Sequence, residues 1–178
     1  HERGAYTLSK VMAEKLVLQE LAKDRKNWTV LRPSIIHGPG KTVTLKQIGG
    51  FQLTDNLKIV FGSGEKRLRL VRVEDVVEAI YLSIANPKSR GKIYNITDDE
   101  LISKKEYIEK SMGVDGRNGL TLYIPYPLIY GAVYLQELLF KILNRKAFLT
   151  RYRLRASQVE LDIDNLLIKQ DLGWKPIH

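Results

Sequence analysis

Gly4-Ala5-Tyr6-Thr7-Leu8-Ser9-Lys10-Val11-Met12-Ala13-Glu14 stands almost at the first residue, and the reading of the chain works outward from it. The run belongs to a helix predicted over residues 5–25, with Val11, Leu16, Leu18 and Leu21 set against Glu14, Lys15, Glu20 and Lys23. Tyr6 and Lys10 are four residues apart, which places them on one helix face, one turn from each other. A free phenol titrates near pKa ~10, and a close ammonium favours its phenolate. A tyrosine so placed can take a proton from an alcohol or return one to a forming alkoxide. A lone Tyr-x-x-x-Lys is common on solvated helix faces, so its weight depends on the rest of the chain.

The 178 residues fit one domain in length, and 44% of them are apolar, enough for a real core. There is no cysteine, which excludes disulfides and thiolate metal sites and fits a reducing, cytoplasmic setting. The net charge of +9 at pH 7 suits anionic ligands such as nucleotide diphosphates, and also nucleic acid or acidic lipid. No signal peptide opens the chain. No initiator methionine precedes His1-Glu2-Arg3-Gly4, and a helix carrying chemistry begins at once, so the chain reads as a portion of a longer one.

Onward from the helix, Trp28-Thr29-Val30-Leu31 reads as a buried strand stopped by Arg32-Pro33, and Ser34 to Gly40 as a Gly/Pro loop. Residues 44–53 are ambiguous between short helix and coil. Strands are predicted at 57–61, 68–73, 92–96 and 121–124. Helices are predicted from Glu74 to Asn86, from the capping box Ser103-Lys104-Lys105-Glu106 to about Ser111, over 128–143 and 150–158, and after Asp164. This alternation defines an α/β protein with a mostly parallel sheet.

Several familiar motifs fail. Gly62-x-Gly64 is followed by Arg67 and a strand, where a dinucleotide fingerprint needs glycine and a helix. Gly40-Lys41-Thr42 lacks the earlier P-loop glycine, since Ile35 stands there, and Pro39 removes a cradle N–H. His1, His37 and His178 are scattered, so no metal site is expected. Arg67, Arg69 and Arg72 precede an acidic helix start; they are either a solvated strand face or an oxyanion clamp, with Arg67 and Arg69 on one side and Arg72 on the other. No aromatics interleave with the basic groups, so nucleic acid is not an expected partner. Residues 118–136 carry no formal charge. Their prolines and glycine argue against a membrane span; a core helix or the wall of an apolar pocket fits better, with shallow contact to a membrane surface left open.

Taken in order, the pieces resemble the carboxy-terminal half of an extended short-chain dehydrogenase/reductase, of the NAD-dependent epimerase/dehydratase superfamily. Tyr6-Thr7-Leu8-Ser9-Lys10 resembles its Tyr-x-x-x-Lys. Leu31-Arg32-Pro33-Ser34-Ile35-Ile36-His37-Gly38-Pro39-Gly40 resembles its Leu-Arg-Pro…Tyr-Gly-Pro-Gly, with His37 where tyrosine is usual. Val71-Arg72-Val73-Glu74-Asp75-Val76 resembles its Val-His-Val-Asp-Asp-Val, Tyr94-Asn95-Ile96-Thr97 the next strand, and Asp171-Leu172-Gly173-Trp174-Lys175-Pro176 the closing Leu-Gly-Trp-x-Pro. The stretch from Ile124 to Thr150 is most similar to the beta-hydroxysteroid and sterol dehydrogenase branch.

The resemblance implies the carboxy-terminal part of a Rossmann-type doubly wound parallel sheet with a small, mainly helical substrate-binding domain. Residues 1–36 and 68–100 would end the dinucleotide-binding domain, and 37–67 with 101–178 would form the substrate-binding portion. It implies NAD or NADP as cofactor, its main binding half upstream of this chain. Tyr6 would be the acid/base. Lys10 would favour its phenolate and hold the nicotinamide ribose. Pro33, Ser34, Ile35 and Ile36 would lie against the nicotinamide, and His37, Arg67 and Arg69 would face the substrate. Nucleotide-sugar epimerases carry an arginine at the place of Leu68. The expected activity is therefore hydride transfer at a hydroxyl or ketone carbon of a steroid-like or other apolar small molecule, with a nucleotide-sugar epimerase or dehydratase and a truncated non-catalytic homologue as the alternatives. A homodimer is also left open.

Overall fold

Local sequence sets most of the element boundaries in the computed structural model, which describes residues 5–23, 28–40, 43–115, 119–145 and 147–177, with backbone only at 5, 21 and 111–115. In chain order the elements are α1 (Ala5–Lys23), β1 (Thr29–Pro33), β2 (Ile35–His37), α2 (Leu45–Ile48), β3 (Gly50–Thr54), β4 (Leu57–Phe61), β5 (Arg67–Leu68) and β6 (Leu70–Arg72). There follow α3 (Val73–Ala85), β7 (Lys92–Ile96), β8 (Ile102–Ser103), α4 (Lys104–Asp115), β9 (Leu120–Ile124), α5 (Tyr126–Ile142), α6 (Arg151–Ala156) and α7 (Leu166–Leu172). The helix stop expected at Asp24 to Asn27, the Lys41-Thr42 pair, and His1 and His178 lie outside the described residues.

The chain divides into two compact units. The first takes His1–Lys41, Arg69–Glu100 and Asp162–His178. Its strands pair in parallel: β1 with β7, from Thr29 opposite Lys92 to Pro33 opposite Ile96, and β2 with β6, from Ile35 opposite Leu70 to His37 opposite Arg72. Parallel strands need a long connection: the chain from β2 to β6 passes through the second unit, and the chain from β1 to β7 includes α3. Val71, Ala79, Tyr94, Ile96, Ile168, Leu172 and Trp174 close into one buried cluster. The resemblance assigns residues 162–178 to the substrate-binding portion. The structure puts Asp162–His178 in the first unit, because Ile168, Leu172 and Trp174 complete this cluster. Trp174 is fully buried, and its Nε1–H donates to the Asp75 carbonyl oxygen at 3.0 Å.

Helix α1 departs from its expected orientation. Val11 and Leu16 are exposed, while Glu14, Val17 and Leu18 are half-buried and Glu14 pairs with Arg32 of β1. A ladder of two strands about 5 Å apart can cover only a narrow stripe of a helix.

The second unit takes Thr42–Leu68 and Leu101–Leu161, and helices hold more of its residues than strands do. The sequence left residues 44–53 ambiguous; they form α2 and then β3, which pairs antiparallel with β4, which in turn pairs in parallel with β9. Gly50 is required here, since a Cβ would lie 2.5 Å from the Ile59 carbonyl oxygen. The predicted strand over 68–73 is two short strands. Leu68 sits in β5, paired antiparallel with β8, and Leu70 in β6, paired with β2, because the chain leaves the second unit for the first at Arg69. Phe61, Val133 and Leu154 form the core, with Phe51, Ile59, Tyr126, Ile129, Tyr130 and Leu149 packed around it. The capping box closes as the sequence predicts: Ser103 N–H donates to Glu106 Oε2 at 2.8 Å and Glu106 N–H to Ser103 Oγ at 3.1 Å. No helix among the described residues is long and apolar enough to cross a membrane.

Candidate active site

Helix α1 presents Tyr6 and Lys10 together. The Lys10 ammonium lies 5.8 Å from the centroid of the Tyr6 ring, and the Tyr6 side chain is largely open to solvent. Tyr6 also stays in register through its backbone, since Ser9 Oγ donates to the Tyr6 carbonyl oxygen at 2.8 Å. The α1 spacing thus delivers a phenol and a cation to one accessible spot.

Pro33 ends β1, and Ser34 joins it to β2, which carries Ile35 and Ile36. Ser34 N–H donates to the Ile96 carbonyl oxygen at 2.9 Å, and Ile35 N–H to the Arg69 carbonyl oxygen at 3.2 Å, so both ladders hold this corner. The Ser34 hydroxyl is different. Its oxygen is buried and has no hydrogen-bond partner among the described residues. A buried hydroxyl without a partner costs stability. Ser34 stands in the corner that follows the carboxyl end of a parallel strand, where ligands of open α/β sheets bind.

His37 closes β2 opposite Arg72. Burial, then the Arg72 guanidinium, hold its imidazole below the ordinary histidine range, while Asp98, Glu74 and Asp75 pull the other way. Burial pushes the Asp98 carboxyl above the usual carboxylate range, against backbone N–H groups of Glu100 and Asp99 that lower it. Gly38 follows, and a Cβ there would meet Val73 Cγ1 at 2.6 Å, so the loop must pass close over the start of α3. Asp75 stands in the first turn of α3, as the sequence predicts, and it is also fully buried; its Oδ1 accepts from Ile177 N–H at 2.9 Å. The closing Trp174 and the acidic segment at the start of α3 therefore hold each other.

The two arginines of the predicted clamp fall in different units. Arg69, in the first, is mostly buried and its guanidinium lies 3.6 Å from Asp162. Arg67, in the second, is exposed on β5, and its backbone N–H donates to Glu160 at 3.1 Å. No cluster of three or more metal-ligating side chains occurs among the described residues.

Sequence reasoning missed Lys104. It looks like the exposed first residue of a capped helix, yet it is almost completely buried and its ammonium donates to the Ser157 carbonyl oxygen at 2.6 Å. Burial, aided by Lys66, pushes its pKa down to about 8. Its partners come from segments far along the chain, which local patterning cannot register.

Residues 1–97 match the NAD dependent epimerase/dehydratase family, and the chain belongs to that family. Among curated relatives it is 25% identical over 185 residues to a 2-alkyl-3-oxoalkanoate reductase of Shewanella oneidensis, covering 97% of this chain and 48% of that protein. It is 27% identical to a UDP-glucose 4-epimerase of Vibrio cholerae, covering 96% and 48%, and 26% identical to 3beta-hydroxysteroid-dehydrogenase/decarboxylase isoform 1 of Arabidopsis thaliana, covering 97% and 42%. The chain thus spans about half the length of these relatives. The fold matches the crystal structure of gox2253 with a TM-score of 0.72 at 23% identity, over 97% of this chain and 52% of that one. The α/β architecture is accordingly of the Rossmann type found in this family.

Proposed function

We propose that the chain is the proton-handling part of an NAD(P)-dependent oxidoreductase of the extended short-chain dehydrogenase/reductase type. Its substrate is an apolar, steroid-like or alkyl molecule reacting at a hydroxyl or ketone carbon. The observation that carries the reading is Tyr6 and Lys10 held on one accessible face of α1. The corner of Pro33, Ser34, Ile35 and Ile36 supports it, because it follows the carboxyl end of a parallel strand, where a nicotinamide would be held. A bound nicotinamide dinucleotide supplies the hydride acceptor or donor.

The chain's own residues manage the proton. The Tyr6 phenol takes it from the substrate hydroxyl, or returns it to a forming alkoxide in the reverse direction. Lys10 keeps a positive charge over the Tyr6 ring, which stabilises negative charge building on the phenol oxygen as the proton leaves. His37, at the end of β2, and Arg69, both in the same unit as Tyr6, are assigned to the substrate side. The apolar choice of substrate rests on the oxoalkanoate and hydroxysteroid relatives and on Leu68, where an arginine would suit a nucleotide-sugar diphosphate.

The test is turnover in the full-length protein. Tyr6→Phe should abolish it, a loss of at least about 100-fold for a positioned acid/base, with cofactor affinity nearly unchanged. Lys10→Ala should weaken both. Wild-type turnover in Tyr6→Phe refutes the assignment. Activity confined to a UDP- or dTDP-sugar selects the epimerase reading that the Vibrio cholerae relative favours.

A further inference from the structure

Helix α5 is apolar on both sides. Its inner side packs Tyr126, Ile129, Tyr130 and Val133 into the core of the second unit. A surface helix ordinarily turns charged residues to the opposite side. Here the outer side carries Leu128, Leu135, Leu138, Leu139 and Ile142, at spacings of seven, three, one and three residues, and all five are exposed: Leu128 is 67% and Ile142 74% accessible. Phe148, beyond the helix end, is 74% accessible as well. The polar positions of α5 are Gln136, Glu137 and Lys141. Gln136 turns inward to donate to the Leu149 carbonyl oxygen at 3.0 Å, and Glu137 is bound by Arg151 at 2.6 Å. A contiguous exposed apolar stripe of this kind calls for a covering.

Charge decides what covers it. Residues 126–158 hold six lysines and arginines against one glutamate. That glutamate is already paired with Arg151. Lys141 is one turn beyond Leu138 on the edge of the stripe. With Arg145, it lines an open depression of about 440 Å³ at the end of α5. Among the described residues, Lys141, Arg145 and Arg153 form no ion pair. An apolar stripe edged with unpaired cations matches the boundary of an anionic bilayer, with leucines among the acyl chains and cations at the phosphates. A second copy of the chain fits worse, because it would bring the same cationic excess against itself. The helix has 17 residues, about 26 Å at ~1.5 Å per residue. Inward-turned Gln136, Arg151-bound Glu137 and the core beneath it keep it lying along the surface.

We infer that the outer face of α5 seats this protein on anionic lipid. The purified full chain, spun with phosphatidylcholine–phosphatidylglycerol vesicles, should sediment with them, less so at high salt, and should ignore phosphatidylcholine alone. Leu135→Glu/Ile142→Glu should lower partitioning by more than about tenfold with an unchanged unfolding transition, since neither side chain belongs to the core. Lys141→Gln and Arg145→Gln should each cost about fivefold. Undiminished sedimentation of the double glutamate variant overturns the inference. So does indifference of the wild-type chain to anionic vesicles, or a dimer in sedimentation equilibrium that the double variant breaks, which would make a second copy the occupant.

Discussion

Raising the pH should stabilise the second unit, and Lys104 is the reason. Its ammonium is buried against the Ser157 carbonyl oxygen and its pKa is down at about 8 from the ordinary 10.5. A lysine with a depressed folded pKa sheds its proton more readily when folded. The unfolded chain therefore binds more protons between the two values, and stability rises with pH across that window. The charged form that burial penalises is fully present below about pH 8, and the penalty is relieved as pH climbs past it. Integrating from pH ~7 to pH ~9.5 gives a gain of about 2 kcal/mol. With a urea dependence of roughly 2 kcal/mol per molar, the unfolding midpoint should move up by about 1 M. Burial also holds Tyr94 and Tyr123 protonated in the folded state, so their ionisation opposes the trend only above the ordinary tyrosine value of 10.0. The assay is a series of urea titrations over that pH range on the wild type and on Lys104→Met, which has nothing to titrate there. A midpoint that climbs equally in both proteins, or falls in the wild type, refutes the reasoning.

Two further perturbations probe the first unit. Trp174→Ala removes a fully buried indole and its hydrogen bond to Asp75, and should cost about 3–5 kcal/mol in urea unfolding; a loss under about 1 kcal/mol would show that the closing segment is not part of the core. His37, held below the ordinary 6.5 by burial and Arg72, must charge against its surroundings in acid, so stability should drop as pH falls through about 6.5. His37→Asn should remove that component between about pH 7.5 and 5.5, and an unaltered acid slope in the variant would assign the loss to other groups.

Where structure followed the sequence, the cause was local. Ser103 and Glu106 are three residues apart and need only each other, so the capping box at the start of α4 could be read in advance. Tyr6 and Lys10 meet for the same reason, through one turn of one helix. Where it diverged, the cause was distant. The glycines at 49 and 50 hid β3, because Gly50 is there to let Ile59 of the neighbouring strand come close, a need that exists only once the hairpin forms. Arg67 and Arg69 alternate as if on one strand, yet their flanking leucines pair with strands of different units. Lys104 becomes chemically unusual only when Ser157 arrives more than fifty positions later. The unpartnered Ser34 hydroxyl belongs to the same group: nothing in Arg-Pro-Ser-Ile foretells that its oxygen will be enclosed.

The chain passes through the first unit three times and the second twice. During synthesis, the hydrophobic centre of the first unit therefore waits for Ile168, Leu172 and Trp174, which emerge only after Thr42–Leu68 and Leu101–Leu161 of the second unit. A nascent chain halted before Asp162 would leave Val71, Tyr94 and Ile96 without the cover of Ile168, Leu172 and Trp174, and so would any clone trimmed at that point.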